Sequence, residues 1–167
     1  YKYISPDEEI KFEGEYINGQ KNGKWKEYSL YQSSIYLEFE GEYLDGLKYG
    51  IGKTYNNGNL IFEGEYSNGK RNGRGIEYNA DGKFEGEFKN GKKWNGTGYN
   101  KNGEIDYDIF NGYGTLKEYY GDKLIYEGEC KQGCRHGKGR EYNYFTGKLI
   151  YNGVFLYGKK FVDTLDN

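Results

Sequence analysis

A five-residue phrase recurs along the chain. Phe12-Glu13-Gly14-Glu15-Tyr16 returns as Phe39-Glu40-Gly41-Glu42-Tyr43, Phe62-Glu63-Gly64-Glu65-Tyr66, Phe84-Glu85-Gly86-Glu87-Phe88 and Tyr126-Glu127-Gly128-Glu129-Cys130. Tyr151-Asn152-Gly153-Val154-Phe155 is a worn last copy. The central glycines fall at 14, 41, 64, 86, 128 and 153, in steps of 27, 23, 22, 42 and 25. The step of 42 spans two ordinary steps and places a degenerate copy near Tyr107-Asp108-Ile109-Phe110. A period of about 20–50 residues marks a stacked-repeat architecture, in which each unit touches mainly its neighbours. Extended repeat surfaces bind partners more often than they transform substrates.

Residues 62–82 show the logic of one unit. Phe62, Gly64 and Tyr66 alternate with Glu63 and Glu65, the period-2 pattern of a strand. Asn68-Gly69 and Asn72-Gly73 are turn formers because both residue types tolerate positive φ. A second strand follows through Tyr78, and Asn79-Ala80-Asp81-Gly82 turns the chain into the next copy. Each repeat is therefore a β-hairpin, and consecutive hairpins pair as an antiparallel meander. Glycine arrives too often for helix interiors, where each costs about 1 kcal/mol against alanine. The single proline, Pro6, precedes the repeats, as ladder positions that must donate hydrogen bonds require. Residues 29–37 lengthen the first step and read as a longer return loop. The array is expected over 12–160 as six to seven hairpins, with 1–11 a lead-in and 161–167 a tail or truncated continuation.

The composition suits such a thin sheet. Of the 35% hydrophobic residues more than half are aromatic, with 21 tyrosines and nine phenylalanines, so aliphatic residues are too few for a two-layer core. The 28 glycines are well above the usual ~7%. In Phe-Glu-Gly-Glu-Tyr the glycine shares a face with the rings and leaves a slot that a ring from an adjacent strand covers. The glutamates lie on the other face, where Lys24, Lys26, Arg74 and Arg140 are placed to pair with them across strands. Net charge is −2, which gives no case for nucleic acid. No apolar run reaches the ~20 residues that span a bilayer, and no signal peptide is visible. With no methionine, even at the start, the chain reads as an excised or processed segment of a longer protein.

The sequence Glu-Gly-Glu-Tyr/Phe, then Asn-Gly-Lys-Arg-Asn-Gly, then Gly-x-Gly-x-x-Tyr resembles the MORN repeat, the membrane occupation and recognition nexus motif. Residues 62–78 and 126–142 match best, 84–99 and 39–55 match well, 12–28 carries Trp25 in place of the second glycine, and 107–119 lacks the turn segment. The resemblance implies an all-β fold: an elongated, twisted, single-layer antiparallel meander of stacked hairpins with a groove along one face. At ~4.8 Å between strands, about 12–14 strands would make a rod roughly 60 Å long.

Several motifs suggest chemistry and fail on context. Gly64-x4-Gly69-Lys70, Gly86-x4-Gly91-Lys92 and Gly153-x4-Gly158-Lys159 follow G-x4-G-K, but Arg71, Lys93 and Lys160 stand where the magnesium-binding hydroxyl belongs. These segments also lie inside hairpins rather than between a strand and a helix. Cys130, Cys134 and His136 are too few for a zinc site, and as nucleophile and base Cys134 and His136 lack an orienting partner. The two cysteines read as incidental thiols in a reducing compartment. Paired glutamates suggest a glycosidase, yet they recur in every repeat, which marks a lattice position. Asn95-Gly96-Thr97 is a glycosylation sequon that matters only in a secreted protein. The reading is therefore no enzyme, no cofactor, no metal and no small-molecule substrate.

The functional expectation is an interaction or scaffold module. Its aromatic groove, lined by Phe12, Tyr16, Phe39, Tyr43, Phe62, Tyr66, Phe84, Phe88 and Tyr126, receives a partner peptide or a second copy of the array. The rival is tethering to an anionic membrane through a basic edge at the hairpin tips, with Lys70, Arg71, Arg74, Lys92 and Lys93 at its centre. The resemblance adds a third reading, an accessory segment of a larger enzyme, because such repeats accompany lipid kinases and lysine methyltransferases. Gly23-Lys24-Trp25-Lys26-Glu27-Tyr28 also resembles bacterial variants near toxin–antitoxin loci, which implies an immunity-like role. The expected location is cytoplasmic, peripheral to a membrane or a cytoskeletal structure.

Overall fold

The Asn-Gly pairs set the fold. Asn68 and Gly69 have φ of 51° and 75°, and the same two positive values recur at Asn18-Gly19, Asp45-Gly46, Asn57-Gly58, Asn90-Gly91, Asn111-Gly112, Gln132-Gly133 and Tyr157-Gly158. Two successive positive φ values make a type I′ turn, whose twist matches that of paired strands. The computed structural model describes residues 2–3, 10–31, 34–120 and 123–161. Pro6, most of the expected lead-in and residues 162–167 of the tail lie outside the described residues.

The chain divides into two units, residues 1–78 and 79–167. The first contains β1 (Lys2–Tyr3), β2 (Ile10–Ile17), β3 (Gln20–Tyr31), β4 (Ser34–Leu44), β5 (Leu47–Asn56), β6 (Asn59–Ser67) and β7 (Lys70–Asn79). The second contains β8 (Gly82–Lys89), β9 (Lys92–Asn100), β10 (Ile105–Phe110), β11 (Tyr113–Tyr120), β12 (Lys123–Lys131), β13 (Cys134–Tyr142), β14 (Leu149–Leu156) and β15 (Lys159–Lys160). Within each unit every strand pairs antiparallel with the next in sequence, the meander expected from the repeats. No helix occurs among the described residues. Successive hairpins are also tied at their tips: the Gly69 amide donates to the Lys48 carbonyl at 3.0 Å, and the Gly133 amide to that of Gly112 at 3.0 Å.

Two expectations need correction. Residues 29–31 and 34–37 are not a loop; the strands run on, with Leu30 opposite Ile35 and Tyr31 opposite Ser34. The alternating Ser-Leu-Tyr and Ser-Ile-Tyr-Leu continue the ladder, so the extra length of the first step is longer strand. The copy at 107–119 also keeps its turn, because Asn111-Gly112 closes β10 onto β11.

The core lies on the face shared by ring and glycine. Gly64 pairs with Gly75 and Gly128 with Gly139, and the Phe62 and Tyr126 rings cover the space that a Cβ would need there. The ring thus covers its own hairpin's glycine pair, not only that of an adjacent strand. Rings two residues either side of the glycine meet edge to face, as in Phe62–Tyr66 at 5.4 Å and 86° and Phe39–Tyr43 at 5.6 Å and 87°. Phe39 also meets Tyr66 of the next copy at 5.5 Å, linking hairpins into a herringbone. Such contacts contribute about 0.5–1.5 kcal/mol beyond burial. Trp25 replaces the second glycine of its copy by lying over Gly14, with its indole N–H donating to the Glu15 and Asn22 carbonyls at 3.0 Å each.

Candidate functional site: the carboxylate face

The aromatic face leaves little for a partner to touch. Phe39, Phe62, Phe84 and Tyr126 are fully buried, and Tyr43, Tyr66 and Phe88 are buried as well. Phe12 is half-buried, and Tyr16 alone of the nine is exposed, at 43%. The expectation of an open aromatic groove is therefore corrected: these rings are the core. The physical reason is a lid of cations. In four hairpins the second residue after the turn glycine is basic and folds back over the first ring of its own hairpin. Lys48 stands 3.8 Å above Phe39, Arg71 4.3 Å above Phe62, Lys93 5.0 Å above Phe84 and Arg135 4.7 Å above Tyr126. Carboxylates hold the lid: Glu77 on Arg71, and Glu118 and Glu141 on Arg135. Burial pushes Glu27 up, but Lys21, Tyr43 and Lys48 outweigh it and hold the carboxyl below its usual range.

The same lid dismantles the expected basic edge. Arg71 and Lys93 belong to the aromatic face, Lys70 and Lys92 are exposed at tips, and Arg74 lies exposed on the opposite face. Other tips carry Leu44 and Leu47, Phe110 and Tyr113, or Leu156 and Tyr157 where a basic row was expected. In neither unit do these cations share one face.

The opposite face carries the rows of glutamate. In three copies the first glutamate of the phrase accepts from the last tyrosine of the same hairpin: Tyr55 to Glu40 at 2.7 Å, Tyr78 to Glu63 at 2.6 Å and Tyr142 to Glu127 at 2.6 Å. Tyr78, then Lys53, hold Glu63 below the ordinary carboxylate range, and Tyr142 with Arg140 does the same for Glu127. Tyr55 is pushed up to about 12 by burial and by Glu40. The second glutamate sits at a bulge and accepts a main-chain amide, Glu65 from Arg74 at 3.0 Å and Glu129 from Lys138 at 2.7 Å. Lys26–Glu40, Lys53–Glu63, Lys117–Asp106 and Arg140–Glu127 pair across strands. Carboxylates held ionised in this way are the reverse of a proton-donating pair. Among the described residues no three metal-ligating side chains come together.

Each unit has a groove on this face. In the first, about 760 Å³ is bounded by Glu13, Glu15, Lys24, Lys26, Glu40, Glu42, Ile51 and Lys53, over a floor of Gly14, Gly41 and Gly52. In the second, about 450 Å³ lies among Asp106, Thr115, Lys117, Glu127, Lys138, Arg140 and Asn152. Beside the first groove, Leu44, Leu47 and Tyr49 are each 48% exposed and Ile51 61%. Leu44 faces Leu47, and Tyr49 faces Glu42, so these apolar side chains share the face of the carboxylates. Sequence reasoning missed this strip and the holding tyrosines. The recurrence of Gly-x-Gly-x-x-Tyr in these three copies, with tyrosine 15 residues after the first glutamate, was the available signal for the latter.

Comparison with known families agrees with this geometry. The family model described as MORN repeat matches residues 12–24, 39–60, 62–83, 84–94 and 126–143, just over half of the chain. No curated protein matches it. MORN repeats are in general modules of protein or membrane interaction, and the family is typically non-catalytic.

Proposed function

The chain belongs to the MORN repeat family, and from that premise we propose that it is a non-catalytic docking module whose carboxylate face receives a protein segment. The exposed strip Leu44, Leu47, Tyr49 and Ile51 beside the first groove carries this reading. Contiguous exposed apolar side chains rimmed by charge mark interaction sites. Lys24 and Arg74 occupy the repeat positions on either side of Ile51 and are exposed, while Glu65 is already occupied by the Arg74 amide. An apolar segment flanked by acidic residues complements that arrangement. The free thiols of Cys130 and Cys134 are consistent with a cytoplasmic setting.

The test compares two double variants in quantitative pull-downs and in flotation with phosphatidylserine vesicles. Leu47→Asp with Ile51→Asp is expected to abolish protein capture without lowering the melting temperature, since both side chains face solvent. Lys70→Glu with Lys92→Glu is expected to leave capture intact, and capture should persist at 1 M salt, where the Debye length is ~3 Å. Vesicle binding that is lost in the lysine variant, with capture indifferent to the strip, would replace docking by membrane tethering.

A further inference from the structure

We propose that Lys92 and Cys134 form a redox-bridge site, in which the lysine amine and the cysteine thiol become joined through a single oxygen atom. Lys92 Nζ lies 2.7 Å from Cys134 Sγ. Hydrogen bonds between nitrogen and oxygen run to about 2.7–3.2 Å, and sulfur is a larger atom, so this separation is too short for an ordinary N–H···S contact. It matches the separation of nitrogen and sulfur across one bridging atom.

A second observation fixes the pair. Gly133, at φ 65°, presses on the base of Lys92: a Cβ there would sit 2.8 Å from Lys92 Cβ and 2.7 Å from the Lys93 carbonyl. The tip preceding Cys134 is therefore seated against the backbone that carries Lys92. The two residues lie 42 apart in sequence, in β9 and β13, and the hairpin β10–β11 lies between them in chain order. Both reach solvent, so an oxidant can approach. Cys130 provides an internal contrast: it is buried, and burial pushes its thiol up to about 11.

The chemistry requires a peroxide. In the first step one peroxide oxidises the thiol: S–H is lost, an S–O bond forms, the O–O bond breaks and water leaves, giving the sulfenic acid. In the second, the neutral lysine amine forms an N–O bond to that oxygen. A second peroxide takes the two electrons, and one hydrogen each from nitrogen and the sulfenic oxygen leave in two waters. The net product has gained one oxygen and lost two hydrogens. Such a link closes a loop around the degenerate hairpin, and constraining the unfolded chain in this way stabilises the fold.

The test treats the full chain with hydrogen peroxide and reads intact mass, peptide map and melting temperature. The expected product carries one added oxygen and two fewer hydrogens, resists tryptic cleavage at Lys92, melts higher and reverts with dithiothreitol. Cys130→Ser should form it as the wild type does. Lys92→Arg and Cys134→Ser should not, with at least a tenfold loss of yield. Sulfinic acid at Cys134, a Cys130–Cys134 disulfide, a disulfide between copies, or a product indifferent to Lys92→Arg would each overturn the proposal.

Discussion

The hairpins β6–β7 and β10–β11 solve the same packing problem with different residues. In β6–β7 the first ring is served within the hairpin: Phe62 lies over Gly64 and Gly75, and Arg71 caps the ring and is held by Glu77. In β10–β11 there is no glycine pair, and the strands pair only through Ile109–Gly114 and Phe110–Tyr113. Its bulky side chains use glycines of neighbouring strands instead. Tyr107 lies over Gly98 and stacks on Phe84 at 6.1 Å and 11°, Ile109 faces Gly96 across the ladder, and Leu116 faces Gly128. Tyr107 also shares the cation of another hairpin, with its hydroxyl 3.0 Å from Lys93 Nζ. The repeat therefore specifies one large side chain per bare stretch of backbone; which strand supplies it is secondary.

Emptying the ring position has the largest expected effect on either hairpin. Phe62→Ala is expected to lose about 3–5 kcal/mol, the cost of removing a buried aromatic side chain. Ile109→Ala should lose less, about 2 kcal/mol, because a smaller volume leaves and the hairpin is less closely knit. Chemical denaturation of the two variants measures both, and equal losses would mean that the degenerate hairpin is no weaker than the regular one. Next in size is the glycine. A Cβ at Gly64 would stand 2.5 Å from both the Arg74 carbonyl oxygen and Gly75 Cα, which are backbone and cannot swing aside. Gly64→Val should cost at least the ~1–3 kcal/mol of an overpacked site. Asn68→Ala, which only places alanine at φ 51°, should cost about 1 kcal/mol. Matching melting temperatures for these two would show that the slot over Gly64 yields.

The hairpins, their antiparallel order and the turn positions were legible because Asn-Gly and the period-2 alternation are local signals. The burial of Phe39, Phe62 and Phe84 was not, for a specific reason. A single sheet with rings on one face needs a cover for that face, and the sequence does not reveal that Lys48, Arg71 and Lys93 fold back to provide it. Lys70 and Arg71 are neighbours of like charge, yet strand alternation sends one to solvent and the other over a ring. The same alternation places Leu47 and Ile51 in the open, where an apolar residue in a strand is more often read as core. Trp25 was recognisable as an exception to the repeat, but its role as the cover of Gly14 depends on a ring orientation that only the fold supplies.

The smallest expected effect tests the carboxylate face. Glu63 is hydrogen-bonded by Tyr78, paired with Lys53 and held below its usual range, whereas β10–β11 uses the Lys117–Asp106 pair, in which Lys117 is raised. For Lys117, burial works against the charge and Asp106 outweighs it. A carboxylate with a depressed folded pKa adds stability above its unfolded value, near 4.5, and loses it as pH falls through the folded value. A raised lysine behaves oppositely: its contribution is complete below about 10.5 and is lost as pH rises through the folded value. Tyr78→Phe should therefore lower stability at pH 7 and flatten the fall of stability with acid below about pH 4.5. Lys117→Gln should do the reverse, flattening the alkaline flank only. Because Glu63 is partly open to solvent, the Tyr78→Phe effect at neutral pH should be no more than about 0.5 kcal/mol. Denaturation midpoints from about pH 3 to about pH 12 would resolve both changes of slope even where the neutral difference is small. An acid flank of wild-type steepness in Tyr78→Phe would mean that the tyrosine row positions the glutamates without shifting their titration.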